Sequence, residues 1–515
     1  MTTSGDLSMN VSQGSRTLAM WTAAVVFLLV YAAELGHFSL SIDEELATFS
    51  TETFKLSWLS QGRWGMMLIG ALMPNFEAIP VLSTLMLGAG LVFAAVRGAA
   101  DLRLDGVRAC LFAVVLVGFP VWPHIAEFNT FAGGFGIGIA VAAYGAGLAV
   151  RANDFGRRAL AVVAMAFAIS VYQTLALFIV VYAGLALHAA HDARLRAGEH
   201  TSLLALLRAA ATAALLVLLA GVVYFIVQRV AMIAVGVPYA YVDVYWRMDL
   251  LRASPRETLA TGGTALAAYA DGTDALYLGN GVRVLFLSWL GLLPWCLLRR
   301  ENPACAKRLS LFWATLLAVL AVLAVPFVLS AGTLPIRAHI AWPLLAAWLA
   351  SRIAVPDTAR WRTAVWAGLV YFALTACSIG ASLFYSERLA RAADAALTEQ
   401  LALRMMEVAD PAATGPVPFT LSGTYIFPEG GQIQRAGVFG TSFFQHDAGN
   451  VYRVAEYMRT LGHTRFRPVV LGNRPQLIEA VRAMPAWPAA GSVKQVDGVI
   501  VVKLGEPTGP QLGPG

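Results

Sequence analysis

The sequence predicts an all-α polytopic membrane protein of about eleven transmembrane helices, followed by a small C-terminal α/β extramembrane domain. Three observations carry that prediction. Hydrophobic residues fill 58% of the 515 positions and charged residues only 13%, where a soluble protein carries about 25% charged residues. Apolar runs of about 20 residues, the length that crosses a bilayer as a helix, recur through the first 384 positions. Beyond them the pattern changes to short β-branched runs alternating with helical periodicity.

Spans are expected near 18–35, 78–97, 106–122, 131–150, 158–171, 174–190, 203–228, 281–298, 309–330, 339–355 and 362–384. With so many apolar segments behind it, the first reads as an uncleaved helix rather than a signal peptide. The apolar piece at 64–74 is too short to cross and reads as a helix at the interface. The stretch 158–190 is long enough for one helix, but a break at Tyr172-Gln173 puts the arginine-bearing loops on one side. Those loops carry Arg97 and Arg103, Arg151 and Arg157, Arg194 and Arg196, Arg299 to Arg308, and Arg352 to Arg362. The positive-inside tendency makes that side cytoplasmic. The N-terminus is then cytoplasmic, and the external side holds a first loop at 36–77, a long loop at 229–280 and everything after 384. The expected domains are 1–384, membrane-embedded, and 385–515, external.

In the last segment, 386–409 has helical periodicity with Ser386 at the expected cap. "VPFTL", "FRPVVLG" and "GVIVVKL" read as strands, and "GNVYRVAEYMRTLG" and "RPQLIEAVRAMP" as helices between them. The net charge of +6 lies in loop arginines and is not a nucleic-acid signal. Cys110, Cys296 and Cys377 fall in expected spans and Cys305 in an expected cytoplasmic loop, with no CxxC pair to suggest a disulfide framework or zinc site.

The candidate site residues face the external side. "SIDEELATF" opens the first loop with Asp43, Glu44 and Glu45. Adjacent carboxylates raise one another's proton affinity, which suits a general base, while a helix capped by Ser41 is the structural alternative. Arg63, between Gly62 and Trp64 at the re-entry point, suits a lipid phosphate, with Trp64 as an interfacial anchor. In "WPHIAEFNT" Glu127 and His124 share a helix face; a polar substrate contact is favoured there over a divalent metal, which two ligands alone do not indicate. "YAYVDVYWRMDLLR" supplies Tyr241 and Trp246, suited to stacking on sugar rings or to the membrane interface. Arg337 stands alone at the external end of two spans and again suits a phosphate or a helix cap. Gln173 either contacts substrate or satisfies backbone freed by the helix break. No nucleotide-binding fold or glycine-rich phosphate loop is visible, so carboxylates, arginines and aromatics on one side suggest transfer of a sugar from a lipid phosphate.

The chain resembles the membrane glucosyltransferases of the type-II serotype-conversion (Gtr) family, which modify O-antigen. The resemblance rests on Ser41-Ile42-Asp43-Glu44, Gly62-Arg63, Tyr172-Gln173, Pro335-Ile336-Arg337 with one extra residue between its ends, and "MPAWPAAGSVKQVDGVIVVKL" near the C-terminus, in that order along nearly the whole chain. The departures from the family pattern are Glu44 in place of the commoner second Asp and the third carboxylate, Glu45. The resemblance implies a GT-C type fold in the bacterial inner membrane, with a periplasmic active site and a periplasmic C-terminal domain. It implies an undecaprenyl-phosphate-linked sugar, usually glucose, as donor and a lipid-linked O-antigen or related glycan as acceptor. A donor synthase and a flippase would be pathway partners. Carried over, Asp43 or Glu44 is the base, with Asp43 favoured, and Arg63 and Arg337 are phosphate contacts. The rivals are a transporter or flippase of lipid-linked sugars, which would place ionisable residues at mid-bilayer, and a polymerase or ligase of such glycans, which would not need the early acidic motif.

Overall fold

The computed structural model describes residues 13–49, 51–73, 81–199, 202–239, 247–271, 280, 283, 303–352, 359–410, 415–426, 436–472 and 474–512. The chain forms two compact units. One comprises Met1–Leu35 and Lys55–Ala381; the other comprises Gly36–Phe54 and Ser382–Gly515.

The first unit is helical. Among the described residues, seven helices are long and apolar enough to cross a membrane; the last is the apolar stretch that continues into the second unit. Gly106–Val117 and Trp342–Ser351 are shorter apolar helices. The expected span at 281–298 lies outside the described residues. The 158–190 stretch does break: one helix ends at Val171 and the next begins at Leu175. Much of the expected loop at 229–280 is helical, because Leu203–Val235 outruns its expected end and Met248–Ala253 and Pro255–Asp271 follow. Pro303–Leu329 likewise starts early enough to include Cys305.

The arginine-rich loops gather on two carboxylates. Asp101 holds Arg97 at 3.0 Å, pairs with Arg151 and accepts a hydrogen bond from the Tyr182 hydroxyl at 2.9 Å. Asp192 holds Arg308 at 2.6 Å, Arg196 at 2.7 Å and Arg352 at 3.5 Å. Loops far apart in sequence thus meet at the same helix ends, as the break at Tyr172-Gln173 requires.

The unit boundary falls inside one helix, Ala359–Val408. The expected break at Ser386 is absent. Nothing between 384 and 387 stops a helix, and Ser386, instead of capping, donates its hydroxyl to the Ser382 carbonyl one turn back at 2.8 Å.

The second unit is built on a four-stranded sheet of β1 (Val417–Ser422), β2 (Phe466–Pro468), β3 (Val493–Val496) and β4 (Val499–Lys503), in the order β2-β1-β4-β3. β1 is parallel to β2 and β4, and β3 closes the edge as an antiparallel hairpin with β4. The period-2 alternation of β4 shares its side chains between two faces. Ile500 and Val502 pack with Leu397, Leu401 and Met405 of the long helix and with Val454 and Met458 of helix Val451–Thr460. Val499 and Val501 pack on the other face with Leu477 and Val481 of helix Pro475–Ala483.

The early acidic segment belongs to this unit. Ile42 is buried against Phe443 and Tyr457, whose rings stack at 4.2 Å. Arg391 lies over Phe443, 4.3 Å from the ring centroid, and bridges Glu387 at 3.0 Å and Asp394 at 2.8 Å. Asp394 in turn accepts from the backbone N–H of Phe443 at 3.1 Å. These contacts fix the shelf on which residues 40–45 rest.

Candidate active site

The candidate residues fall into two groups, one in each unit. In the second unit, helix Glu44–Phe49 opens where the chain turns at Asp43, whose backbone is left-handed at φ 82°. Asp is among the few side chains that tolerate this region, because its carboxylate can bond locally. Glu44 does not face outward. It is buried, and its carboxylate accepts the Ser41 backbone N–H at 3.0 Å, the Glu half of a capping box.

Asp43 and Glu45 instead converge on Arg453, at the start of helix Val451–Thr460. Asp43 Oδ1 lies 2.7 Å from Arg453 Nη2, and Glu45 Oε1 lies 2.6 Å from Nη1. Asp447 Oδ2 takes the remaining edge, 2.5 Å from Nε. Each of the three guanidinium nitrogens thus meets one carboxylate, as its planar fork geometry allows. The Asp43 carboxylate remains 37% exposed, whereas Glu45 is fully buried. Glu45 Oε2 has no hydrogen-bond partner among the described residues. Burial pushes the Glu45 carboxyl up to about 7, against the charge of Arg453, which pulls it down. Asp43 is thus the one carboxylate of the triplet that is not buried.

In the first unit, Arg63, Tyr172, Gln173 and Arg337 come together around one cavity of about 290 Å³. Arg63 is the N-cap of helix Trp64–Leu72, and its guanidinium carbon lies 5.0, 5.2 and 5.3 Å from the rings of Tyr172, Trp58 and Phe131. Arg337, in the turn Ile336–Ala338, lies 4.9 Å over Phe128. Aromatic faces hold a guanidinium by its plane and leave its N–H edge to other partners.

The turn that delivers Arg63 is gripped by its main-chain oxygens. Gln228 donates to the Leu59 carbonyl at 2.7 Å, Gln173 to that of Gln61 at 2.6 Å, and the Tyr224 hydroxyl to that of Gly62 at 2.9 Å. Gln173 thus both lines the cavity and satisfies backbone, though the backbone belongs to the Arg63 turn rather than to its own helix break. Gly62 has φ 81°, and a Cβ there would lie 2.7 Å from both Gln173 Nε2 and Tyr224 Oη.

The other expected residues lie nearby or elsewhere. Trp64 packs edge-on against Phe167, with ring centroids 6.1 Å apart. Glu127 is buried next to Phe128, and His124 is buried in the preceding helical turn. Burial, then the positive charge of Arg337, holds the His124 imidazole down at about 3, so it is neutral over the working pH range. Tyr241 and Trp246 lie outside the described residues. Arg453 and Asp447 were not found by sequence reasoning; more than 400 positions separate Arg453 from the acidic triplet it binds.

Long apolar helices followed by a small C-terminal α/β unit define the class: a polytopic helical membrane protein. Residues 32–351 match the family model of the glucosyl transferase GtrII, so the chain belongs to that family and its activity is glycosyl transfer. No curated protein and no solved structure matches it. The matched region contains Asp43, Arg63, Tyr172, Gln173 and Arg337, and ends before Arg453.

Proposed function

We propose that this glucosyltransferase takes glucose from an undecaprenyl-phosphate-linked donor and places it on a lipid-linked O-antigen or related surface glycan, at the periplasmic face of the bacterial inner membrane. The observation that carries this reading is the cavity in which Arg63 and Arg337, distant in sequence, meet beside Tyr172 and Gln173. Its volume of about 290 Å³ stands at the lower end of small-ligand pockets, roughly 300 Å³. Two guanidiniums suit the phosphate that leaves, and an apolar surround suits the lipid that carries it. Asp43 is the general base. It takes the acceptor hydroxyl proton as the acceptor oxygen bonds to the sugar C1, the C1–O bond to phosphate breaks, and the electron pair leaves with the phosphate.

The test uses membranes carrying the full-length protein and native acceptors, supplied with either undecaprenyl-phosphate-[14C]glucose or UDP-[14C]glucose. Label is expected to reach the glycan directly from the lipid donor alone. Asp43→Asn should reduce transfer roughly 10²–10⁴-fold, the range of general-base contributions. Direct transfer from UDP-glucose would refute the donor assignment, and a fully active Asp43→Asn protein would refute the base assignment.

A further inference from the structure

We infer that Arg453, from the C-terminal unit and beyond the region matched to the family, is the positioning residue of the transfer reaction: it holds the Asp43 carboxylate in place at its left-handed turn. The inference rests on the assignment of Asp43 as base.

Each of the three nitrogens of Arg453 meets a carboxylate: Asp43 at 2.7 Å, Glu45 at 2.6 Å and Asp447 at 2.5 Å. Two of these acids flank Glu44, which is turned inward onto the Ser41 N–H. Without a cation between them, Asp43 and Glu45 would face each other as like charges, and one would take up a proton. With Arg453 in place, Asp43 keeps one oxygen tied and a carboxylate more than a third exposed. Arg453 is itself fixed by its helix, which packs through Val454 and Met458 against the sheet and through Tyr457 against Ile42. The carboxylate therefore takes its position from the C-terminal unit, although its sequence lies in the first loop.

Other charged and titratable groups face this cluster. His446 sits beside Asp447, 3.4 Å from it. Tyr457 comes from the same helix as Arg453, and Arg391 with its partners Glu387 and Asp394 from the long helix. The positive charge of Arg391 acts on Glu45 whether or not Arg453 is present.

The experiment measures the pH dependence of kcat/KM for transfer from undecaprenyl-phosphate-glucose in membranes carrying full-length wild type, Arg453→Gln, Arg453→Lys, Asp447→Asn or Asp43→Asn. An opposite charge this close shifts a carboxyl by about one to three pH units. Arg453→Gln should therefore move the acid limb up by about one unit or more, with activity returning at high pH and, in part, on adding methylguanidinium. Arg453→Lys keeps the charge and should leave the limb within a few tenths of a unit. Asp447→Asn removes a competing negative charge and should move the limb slightly down. An Arg453→Gln protein that unfolds at the wild-type temperature and keeps the wild-type limb would overturn the inference. If Arg453→Gln does not fold, an unmoved limb in Asp447→Asn together with an inactive Arg453→Lys would overturn it. Full activity in Asp43→Asn would instead sink the underlying base assignment, whatever the Arg453 variants do.

Discussion

Arg453 and Arg63 are both partly buried guanidiniums, and the two units stabilise them by opposite means. Around Arg453 the partners are three carboxylates within 2.7 Å. Around Arg63 stand three aromatic rings at 5.0–5.3 Å. The first arrangement compensates charge with charge and must respond to pH. The second cradles the flat face of the cation with aromatic rings.

The sharpest way to break that contrast is to silence the titrating member. Glu45 is raised from 4.5 to about 7, so the fold prefers it protonated. Its stabilising contribution is complete below pH 4.5, where the unfolded chain is also protonated, and is lost as pH rises through 7. The loss amounts to roughly 3 kcal/mol. Glu45→Gln should flatten this dependence, which thermal unfolding between pH 4.5 and 8 would register; an unchanged slope would show that Glu45 is not the titrating group.

Next in size is the cavity. Arg337→Ala should weaken the donor interaction by about 1.5–3 kcal/mol, the value of a charged hydrogen bond, roughly a 10–100-fold rise in KM for the lipid donor. Arg63→Lys should fare little better than Arg63→Ala, because an ammonium cannot lie flat between rings. Neither variant should shift the acid limb of the pH profile, and a shift would erase the distinction between the two groups.

The smallest expected effect is at Gly62. Gly62→Ala forces a Cβ into a left-handed turn and against two hydrogen-bonding side chains, at a cost of about 1–2 kcal/mol. It should lower the unfolding midpoint and reduce turnover without altering the pH profile. An unchanged midpoint would mean that the turn is softer than its contacts imply.

Much of this was legible in the sequence, for physical reasons that differ from residue to residue. Apolar runs announced the membrane helices because lipid forbids anything else at that length. The Tyr172-Gln173 break was legible because the arginine loops would otherwise fall on opposite sides. β1 and β4 were visible as β-branched runs, whereas β2 covers only Phe466–Pro468 at the start of the expected FRPVVLG run. β3 was missed even though Asp497-Gly498, both at positive φ, form the hairpin turn that announces it. Ser386 misled because a serine marks a helix start only where something else ends the previous helix. Arg63 and Arg337 could each be picked out as lone cations, but only the fold shows that they share a cavity. Arg453 could not be found at all. It lies in an amphipathic helix among many surface arginines, and neither spacing nor composition links it to an acidic triplet at the other end of the chain.

The turn at 59–62 has a further consequence for how the protein tolerates change. Gln228, Gln173 and Tyr224 hold it by carbonyl oxygens, which every amino acid possesses. The side chain at Gln61 is therefore irrelevant to whether the turn is held, and its letter can drift without releasing Arg63. Besides Gly62 itself, the vulnerable spellings lie elsewhere: Tyr224 and Gln228 on helix Leu203–Val235, and Gln173 at the break between Val171 and Leu175. A catalogue of sequence variants would find tolerance at Gln61 and intolerance at three positions more than a hundred residues away, which proximity alone does not suggest.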